Sequence, residues 1–336
     1  MGQFSSTKDE EIENEEGENE YLKFSSSNIK GWKKQNNNTF ISQISLGEQK
    51  NFDIFCIFNG LNGNEVSKFM KNHFSKILLE NIKNSLNNIK EAINNTFLRM
   101  NKLMEEKEEE IIELKLSNLK EESKNYKIIL NEQDLEIKLT KEEKEDILKY
   151  TGCTACLILL DEKNKTLYFG NIGNSEVIVY KKNDTSEKLD PEVFASKHRP
   201  TDDLEKKRIK NEFIINDKLY GVLNVCRAFG CFEYKNDFQI LNKTLSDEPD
   251  ISIYNLKDED EFIFIGTESI IECIDKQKFG DLIKNKTQEN DDDLTKALNE
   301  IIKDNIEYDF YNNDTEFGFD NITSTLIKIK SIKKKN

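Results

Sequence analysis

Residues 52–69, FDIFCIFNGLNGNEVSKF, constrain this chain more than any other stretch. Ile54, Phe55, Ile57 and Phe58 make an apolar run of the length of a buried strand. The run stops at Asn59-Gly60-Leu61-Asn62-Gly63. Val66, Phe69, Met70, Phe74, Ile77, Leu78 and Ile82 then follow the i, i+3, i+4 spacing of an amphipathic helix. A buried strand that hands a glycine-containing turn to a helix holds polar groups at the mouth of a site. Here the turn offers amides, where metal or phosphate chemistry wants carboxylates.

Upstream, residues 40–46 alternate as a half-buried strand does, and downstream Leu86, Ile89, Ile93, Phe97, Met100 and Met104 form a second helical stripe. Further strands are predicted over 153–160, 166–170, 176–181, 251–256, 262–265 and 322–329, and helices over 204–211, 270–274 and 294–306. Strands and helices come in blocks and do not alternate strictly, which points to an α+β fold with antiparallel sheets. Between them, 105–148 is a Lys/Glu-rich insert, read as a charged helix or mobile loop with a solvated face.

A net charge of -15 argues against a nucleic-acid binder, because neutralising phosphates requires clustered Lys and Arg. No run of 18 apolar residues is present and no secretory signal opens the chain, so a cytoplasmic protein is expected. Cys56, Cys153 and Cys156 sit in apolar runs and read as buried reduced thiols. Positions three apart on a strand face opposite sides, which disfavours a zinc or redox pair at Cys153 and Cys156.

Met1-Gly2-Gln3-Phe4-Ser5-Ser6 fits the N-myristoylation pattern, with Gly2 as the lipidation site. One acyl chain binds membranes only marginally, and the glutamates that follow would repel anionic lipid, so only weak, reversible membrane contact is expected. Residues 1–20 are read as a disordered acidic tail, 21–330 as one folded domain and 331–336 as a short basic tail.

Eight segments of this chain line up in order with one family. Besides Asn59-Gly60-Leu61-Asn62-Gly63, they are Gly152-Cys153-Thr154-Ala155, Asn171-Ile172-Gly173-Asn174-Ser175-Glu176, and Lys197-His198-Arg199-Pro200 with Glu205 and Arg208-Ile209. Towards the C-terminus come Val225-Cys226-Arg227-Ala228-Phe229-Gly230-Cys231-Phe232, Glu248-Pro249-Asp250, Thr267-Glu268-Ser269 and Asp320-Asn321-Ile322-Thr323. In this order they resemble the metal-dependent protein phosphatases, the PPM or type-2C serine/threonine phosphatases. The family's versions read Asp-Gly-His-Gly-Gly, Gly-Ser-Thr-Ala, Asn-Val/Ile-Gly-Asp-Ser-Arg, Asp-His-Lys-Pro, Val-Ser-Arg-Ala-Leu-Gly-Asp-Phe, Glu-Pro-Glu/Asp, Ser/Cys-Asp-Gly and Asp-Asn-Met/Ile-Thr. The resemblance implies a four-layer α-β-β-α sandwich of two antiparallel sheets flanked by helix pairs. It also implies a binuclear Mg or Mn centre whose activated water attacks a phosphoserine or phosphothreonine.

Carried over residue by residue, the resemblance places Asn59 at the bridging aspartate and keeps the Gly60 carbonyl ligand. Glu268 stands at a second Asp ligand and Asp320 is retained. Gly31-Trp32-Lys33 is similar to the family's Gly-Trp-Arg, which sets Lys33 at the phosphate-gripping Arg and Asn37 and Asn38 at a Glu-Asp pair; Asn174 takes the Asp of a weaker third metal. Leu61 replaces the histidine that protonates the leaving alkoxide, and leucine cannot be a general acid. His198 matches a structural histidine.

An amide oxygen can coordinate a metal but brings no charge. Two divalent ions would face only Glu268 and Asp320 as carboxylates. No binuclear centre is therefore expected, and Glu268, Asp320 and the Gly60 carbonyl are left as a vestigial site for one weakly bound Mg or Mn. The reading is a pseudophosphatase with a binding or regulatory role in phospho-signalling. The alternative is a low-activity metal-dependent Ser/Thr phosphatase with a rearranged site. By analogy with the family the partner is a kinase or a phosphoprotein.

Overall fold

In the computed structural model the described residues are 12–31, 33, 35–48, 51–85, 88–130, 138–183, 185–186, 188–195, 197–209, 213–235, 244–312 and 320–330, the side chains of 124–130 and 305–312 excepted. Gly2 and the basic tail at 331–336 lie outside them. The chain divides into two compact units: residues 1–36, 179–192 and 258–336, and residues 37–178 and 193–257.

The fold is α+β, with two antiparallel sheets and helices. One sheet has the order β1 (Ile12–Glu18), β2 (Leu22–Ile29), β14 (Ile322–Ile329), β13 (Asp260–Gly266), β7 (Glu176–Lys182), β8 (Leu189–Phe194). The other runs β12 (Asp250–Asn255), β6 (Thr166–Ile172), β5 (Gly152–Asp161), β4 (Phe52–Leu61), β3 (Asn38–Leu46), with the two-residue β11 (Phe229–Gly230) beside β5. A small hairpin joins β9 (Ile214–Ile215) to β10 (Lys218–Leu219). The helices are α1 (Glu65–Asn84), α2 (Ile89–Glu106), α3 (Glu108–Leu130), α4 (Lys141–Tyr150), α5 (Asp203–Arg208), α6 (Glu268–Ile271), α7 (Lys276–Glu289) and α8 (Leu294–Asn312).

In the second unit, alternate residues of β4 and β5 (Ile54, Cys56, Phe58; Cys153, Ala155, Leu157) pack under the stripes of α1 and α2. Phe74 sets its ring edge-on to Phe58 at 5.5 Å and to Phe97 at 5.4 Å. Phe55 and Ile57, on the other face of β4, are equally buried, which explains why the run is continuous rather than alternating. All six cysteines are free and five are buried, as expected for reduced thiols.

Over its described residues the insert is largely helical. It forms α3 and α4, and Ile111, Ile147 and Leu148 join the core of α1 and α2. Thr140 starts α4 with a capping box, its hydroxyl accepting from the Glu143 N–H while Glu143 accepts from the Thr140 N–H.

The first unit departs more from the sequence expectation. Part of the acidic stretch read as disordered is strand β1, an edge strand paired from Ile12 to Glu18 with Ile29 to Lys23 of β2. Its backbone pairs with β2 along one side, while Glu13, Glu15, Glu16 and Glu18 stay exposed, so the charge that suggests disorder is never buried. β2 itself escapes an apolar pattern because Ser25, Ser26, Ser27 and Asn28 are all buried polar residues. They hydrogen-bond outward, Ser27 Oγ to Asn299 Oδ1 at 2.8 Å and Ser26 with Thr325 Oγ1 at 2.8 Å. α7 is likewise unpredicted; it is lysine-rich and anchored by few apolar residues, Phe279 and Ile283.

Candidate functional site

In the second unit, strand register assembles one set of candidate residues. Asn38 of β3 lies opposite Asn59 of β4, and Asn59 lies opposite Thr154 of β5. Gly60 N–H donates to the Asn37 carbonyl at 3.1 Å, and the same carbonyl accepts Ser67 Oγ at 2.6 Å. A Cβ on Gly60 would lie 2.3 Å from the Gly63 carbonyl oxygen and 2.4 Å from that of Asn37, so only glycine fits. Asn62 (φ 58°) and Gly63 (φ 144°) complete the turn into α1. Asn174 follows β6 at the same end of the sheet, buried, next to Gly173, whose absent Cβ would touch Thr154. Asn37, Asn38, Asn59 and Asn174 therefore gather at one end of the sheet.

Leu61 is not simply a lost histidine. It packs against an apolar cluster that includes Leu219, Leu223, Val225 and Cys231, with Tyr220 and Tyr234 beside it. The sequence does not reveal this cluster, since its members come from short irregular segments without periodicity.

The first unit assembles Lys33, Glu268 and Asp320. Thr267 ends β13 and links to β14, its N–H donating to the Thr323 carbonyl at 3.0 Å. Glu268 opens α6, and Ser269 Oγ donates to the Asn321 carbonyl at 2.7 Å, which ties the two strand ends together. The Asn321 side-chain amide pins the 30–35 segment through the Lys30 and Gln35 carbonyls. Lys33 Nζ then sits 3.7 Å from Asp320 Oδ2, both side chains half exposed. Glu268 is partly buried.

His198 is structural, as the resemblance implies. Its Nδ1 accepts the Gly173 N–H at 3.0 Å, which places the proton on Nε2, 3.1 Å from Asp250 Oδ2. Asp250 also accepts from Arg227 at 2.8 Å, and Arg227 and Arg208 both reach the buried Glu205. The hydrogen bond from His198, with the charge of Arg227, holds the Asp250 carboxyl down at about 2. Burial pushes Glu205 up, but the two guanidiniums outweigh it and leave the group below its usual range.

A second pair was legible in the motifs but easily overlooked. Where the family carries Arg and Asp, this chain carries Glu176 and Lys197, and the two meet at 3.1 Å with Glu176 buried. Burial raises the thiols of Cys226 and Cys231 to about 12 and raises Cys156 as well, so none of the three is a thiolate nucleophile. Among the described residues no group of three or more His, Cys, Asp or Glu is placed to hold a metal ion. No described helix is long and apolar enough to cross a membrane.

The sequence pattern of the Protein phosphatase 2C family matches residues 22–112 and 99–314. Probable protein phosphatase 2C 6 of Paramecium tetraurelia is 27% identical over 336 residues, covering 98% of this chain and 100% of the relative. Probable protein phosphatase 2C 21 of Arabidopsis thaliana is 25% identical, over 98% of this chain and 93% of that protein. Among solved structures, serine-threonine phosphatase 2C from Toxoplasma gondii superposes with a TM-score of 0.67 at 13% identity, covering 95% of this chain and 99% of that one. A C. elegans sex determining protein gives 0.66 at 16% identity, over 92% of this chain and 64% of that one. Members of the family generally depend on Mg or Mn. The family pattern covers most of the sequence, and the chain belongs to the protein phosphatase 2C family.

Proposed function

We propose that this phosphatase 2C domain is a pseudophosphatase that binds phosphoprotein or kinase partners without hydrolysing phosphate. The observation that carries the reading is the row of amides at one end of the sheet, Asn38 in register with Asn59 and Asn37 locked to Gly60. Two divalent ions about 3.5–4 Å apart need clustered anionic oxygens to offset their repulsion. At the positions that the resemblance assigns to metals, only Glu268 and Asp320 carry charge, and Asp320 already faces Lys33. The residues present do not fit a binuclear centre. Leu61 removes the general acid as well, and Lys33 replaces a bidentate guanidinium with a single point charge.

The test is hydrolysis of p-nitrophenyl phosphate and of a phosphothreonine peptide with millimolar Mn or Mg. No turnover above a metal-free blank is expected. Turnover that scales with metal and disappears in Glu268→Ala or Asp320→Ala would overturn the reading. An Asn-Gly step is prone to deamidate, and at Asn59 this would restore an aspartate, so the peptide mass is checked in the same sample.

A second reading keeps low activity through one Mg or Mn at Glu268 and Asp320, which lie at neighbouring strand ends. Calorimetric titration with Mn separates the two; no heat up to millimolar metal leaves the second reading without a cofactor. Gly2 remains the proposed lipidation site for weak membrane contact of a cytoplasmic protein, tested by the mass of the N-terminal peptide after coexpression with an N-myristoyltransferase.

A further inference from the structure

The insert reaches the 59–63 turn through one buried carboxylate. α3 lies antiparallel along α1: Glu110 meets His73 Nε2 at 2.7 Å, while eight residues further on Asn118 reaches the first turn of α1. There Glu65 is fully buried. Its Oε1 receives Lys115 Nζ at 3.2 Å and Asn118 Nδ2 at 3.0 Å, both from α3. Asn118 also donates to Asn64 Oδ1 at 2.6 Å and accepts Lys68 Nζ at 2.7 Å.

The other oxygen of Glu65 faces the turn. A Cβ on Gly63 would lie 2.1 Å from Oε2, and the Gly63 carbonyl in turn presses on Gly60. Contact thus runs from α3 to Glu65, to Gly63, to Gly60. From the other end of the insert, Asn62 Nδ2 donates to the Tyr150 carbonyl at 2.8 Å, where α4 ends. Removing the partner of a buried charge is far more disruptive than removing a surface pair, because the remaining charge has no water to solvate it.

We propose that the insert is a strap: α3, through Lys115 and Asn118 on the buried Glu65, holds the 59–63 turn in shape, so that whatever loosens α3 loosens the turn. α3 runs on for about 18 Å of helix beyond Asn118. The inference stands whether or not the domain hydrolyses phosphate.

Amide hydrogen exchange on the full chain tests it, comparing residues 59–68 with 152–172 as the internal reference. Lys115→Met keeps the aliphatic stem and removes the cation. It is expected to speed exchange over 59–68 by roughly 30-fold or more relative to the reference. Glu65→Gln added to Lys115→Met removes the stranded charge and should bring the rate back to within about 3-fold of the parent. Glu110→Gln, at the far end of α3, should leave 59–68 unchanged.

The proposal fails if Lys115→Met leaves 59–68 at the parent rate, or speeds both stretches equally. It fails also if the double variant stays as fast as the single one, or if Glu110→Gln acts as strongly as Lys115→Met. Should Lys115→Met not fold, folding of the double variant supports the strap, and failure of both overturns it.

Discussion

The two sets of candidate residues have been treated differently. At the sheet end of the second unit, Asn38 and Asn174 are buried, and the four positions to which the resemblance assigns metal-binding carboxylates, Asn37, Asn38, Asn59 and Asn174, are amides. At the strand ends of the first unit, Asp320 is half exposed and Glu268 partly buried, and both remain acids. Under the proposed pseudophosphatase reading, electrostatics accounts for the difference. A cluster of buried carboxylates is tolerable while divalent cations neutralise it, and strongly destabilising once they are gone. Asparagine keeps the shape and removes the charge. An exposed carboxylate is solvated by water with or without a metal, so nothing presses for its replacement.

The largest effect should come from the backbone of the buried set. In Gly60→Ala the new methyl meets two main-chain oxygens that no side-chain rotation can move. A loss of about 4 kcal/mol, or failure to fold, is expected in urea denaturation. A loss below about 1 kcal/mol would mean that the turn is looser than its hydrogen bonds indicate.

Next comes Asn38→Asp with Asn59→Asp. Two carboxylates facing each other across β3 and β4 should destabilise the metal-free protein by about 3 kcal/mol near neutral pH. The loss should shrink as the pH falls, because burial raises their folded-state pKa above the unfolded value and protonation then relieves the repulsion. A pH-independent loss would show that steric fit, not charge, decides this end of the sheet. Recovery in millimolar Mn but not in matched salt would show that it still holds a metal when given anionic ligands.

A smaller effect is expected from the His198–Asp250 pair. Asp250 is held at about 2, below its ordinary value of 3.8, chiefly by the His198 hydrogen bond. A depressed acid stabilises the fold above its unfolded pKa, and that contribution disappears as the pH falls from about 4 to about 2. Allowing for the partial exposure of Asp250, it amounts to roughly 1 kcal/mol. Thermal unfolding of Asp250→Asn should be flatter than the parent over that interval. Parallel curves would assign the acid limb elsewhere, with Glu205 as the next group to test.

The second unit was legible because its chemistry is written in strict frames. The apolar run before Asn59 and the glycines at 60 and 63 fix the turn, and the stripes of α1 and α2 follow from spacing alone. The first unit's sheet hid three of its strands, β1, β2 and β8, and the first two show why. β2 carries four consecutive buried polar residues whose partners, Asn14, Asn299 and Thr325 among them, lie far away in sequence, so no local pattern records that they are satisfied. β1 is an edge strand, and its acidic composition speaks of solvent exposure rather than of pairing. Of the site, identities were readable throughout, but the apolar seat of Leu61 and the α3 contact to Glu65 depend on tertiary packing that composition does not encode.

The smallest effect belongs to the exposed set and sets the floor for the comparison. Lys33 and Asp320 are 3.7 Å apart, each about half exposed, so water screens the pair and side-chain entropy opposes it. Lys33→Ala and Asp320→Asn should each change stability by no more than about 0.5 kcal/mol, and a double-mutant cycle should give a coupling below about 0.5 kcal/mol. Metal binding tests the same residues independently: if Asp320→Asn leaves Mn titration heats unchanged while stability is also unchanged, the retained acid has neither a structural nor a metal-binding role. A coupling well above 1 kcal/mol would instead show that this exposed pair orders the 30–35 segment. The difference between the two sets would then be one of degree rather than of burial.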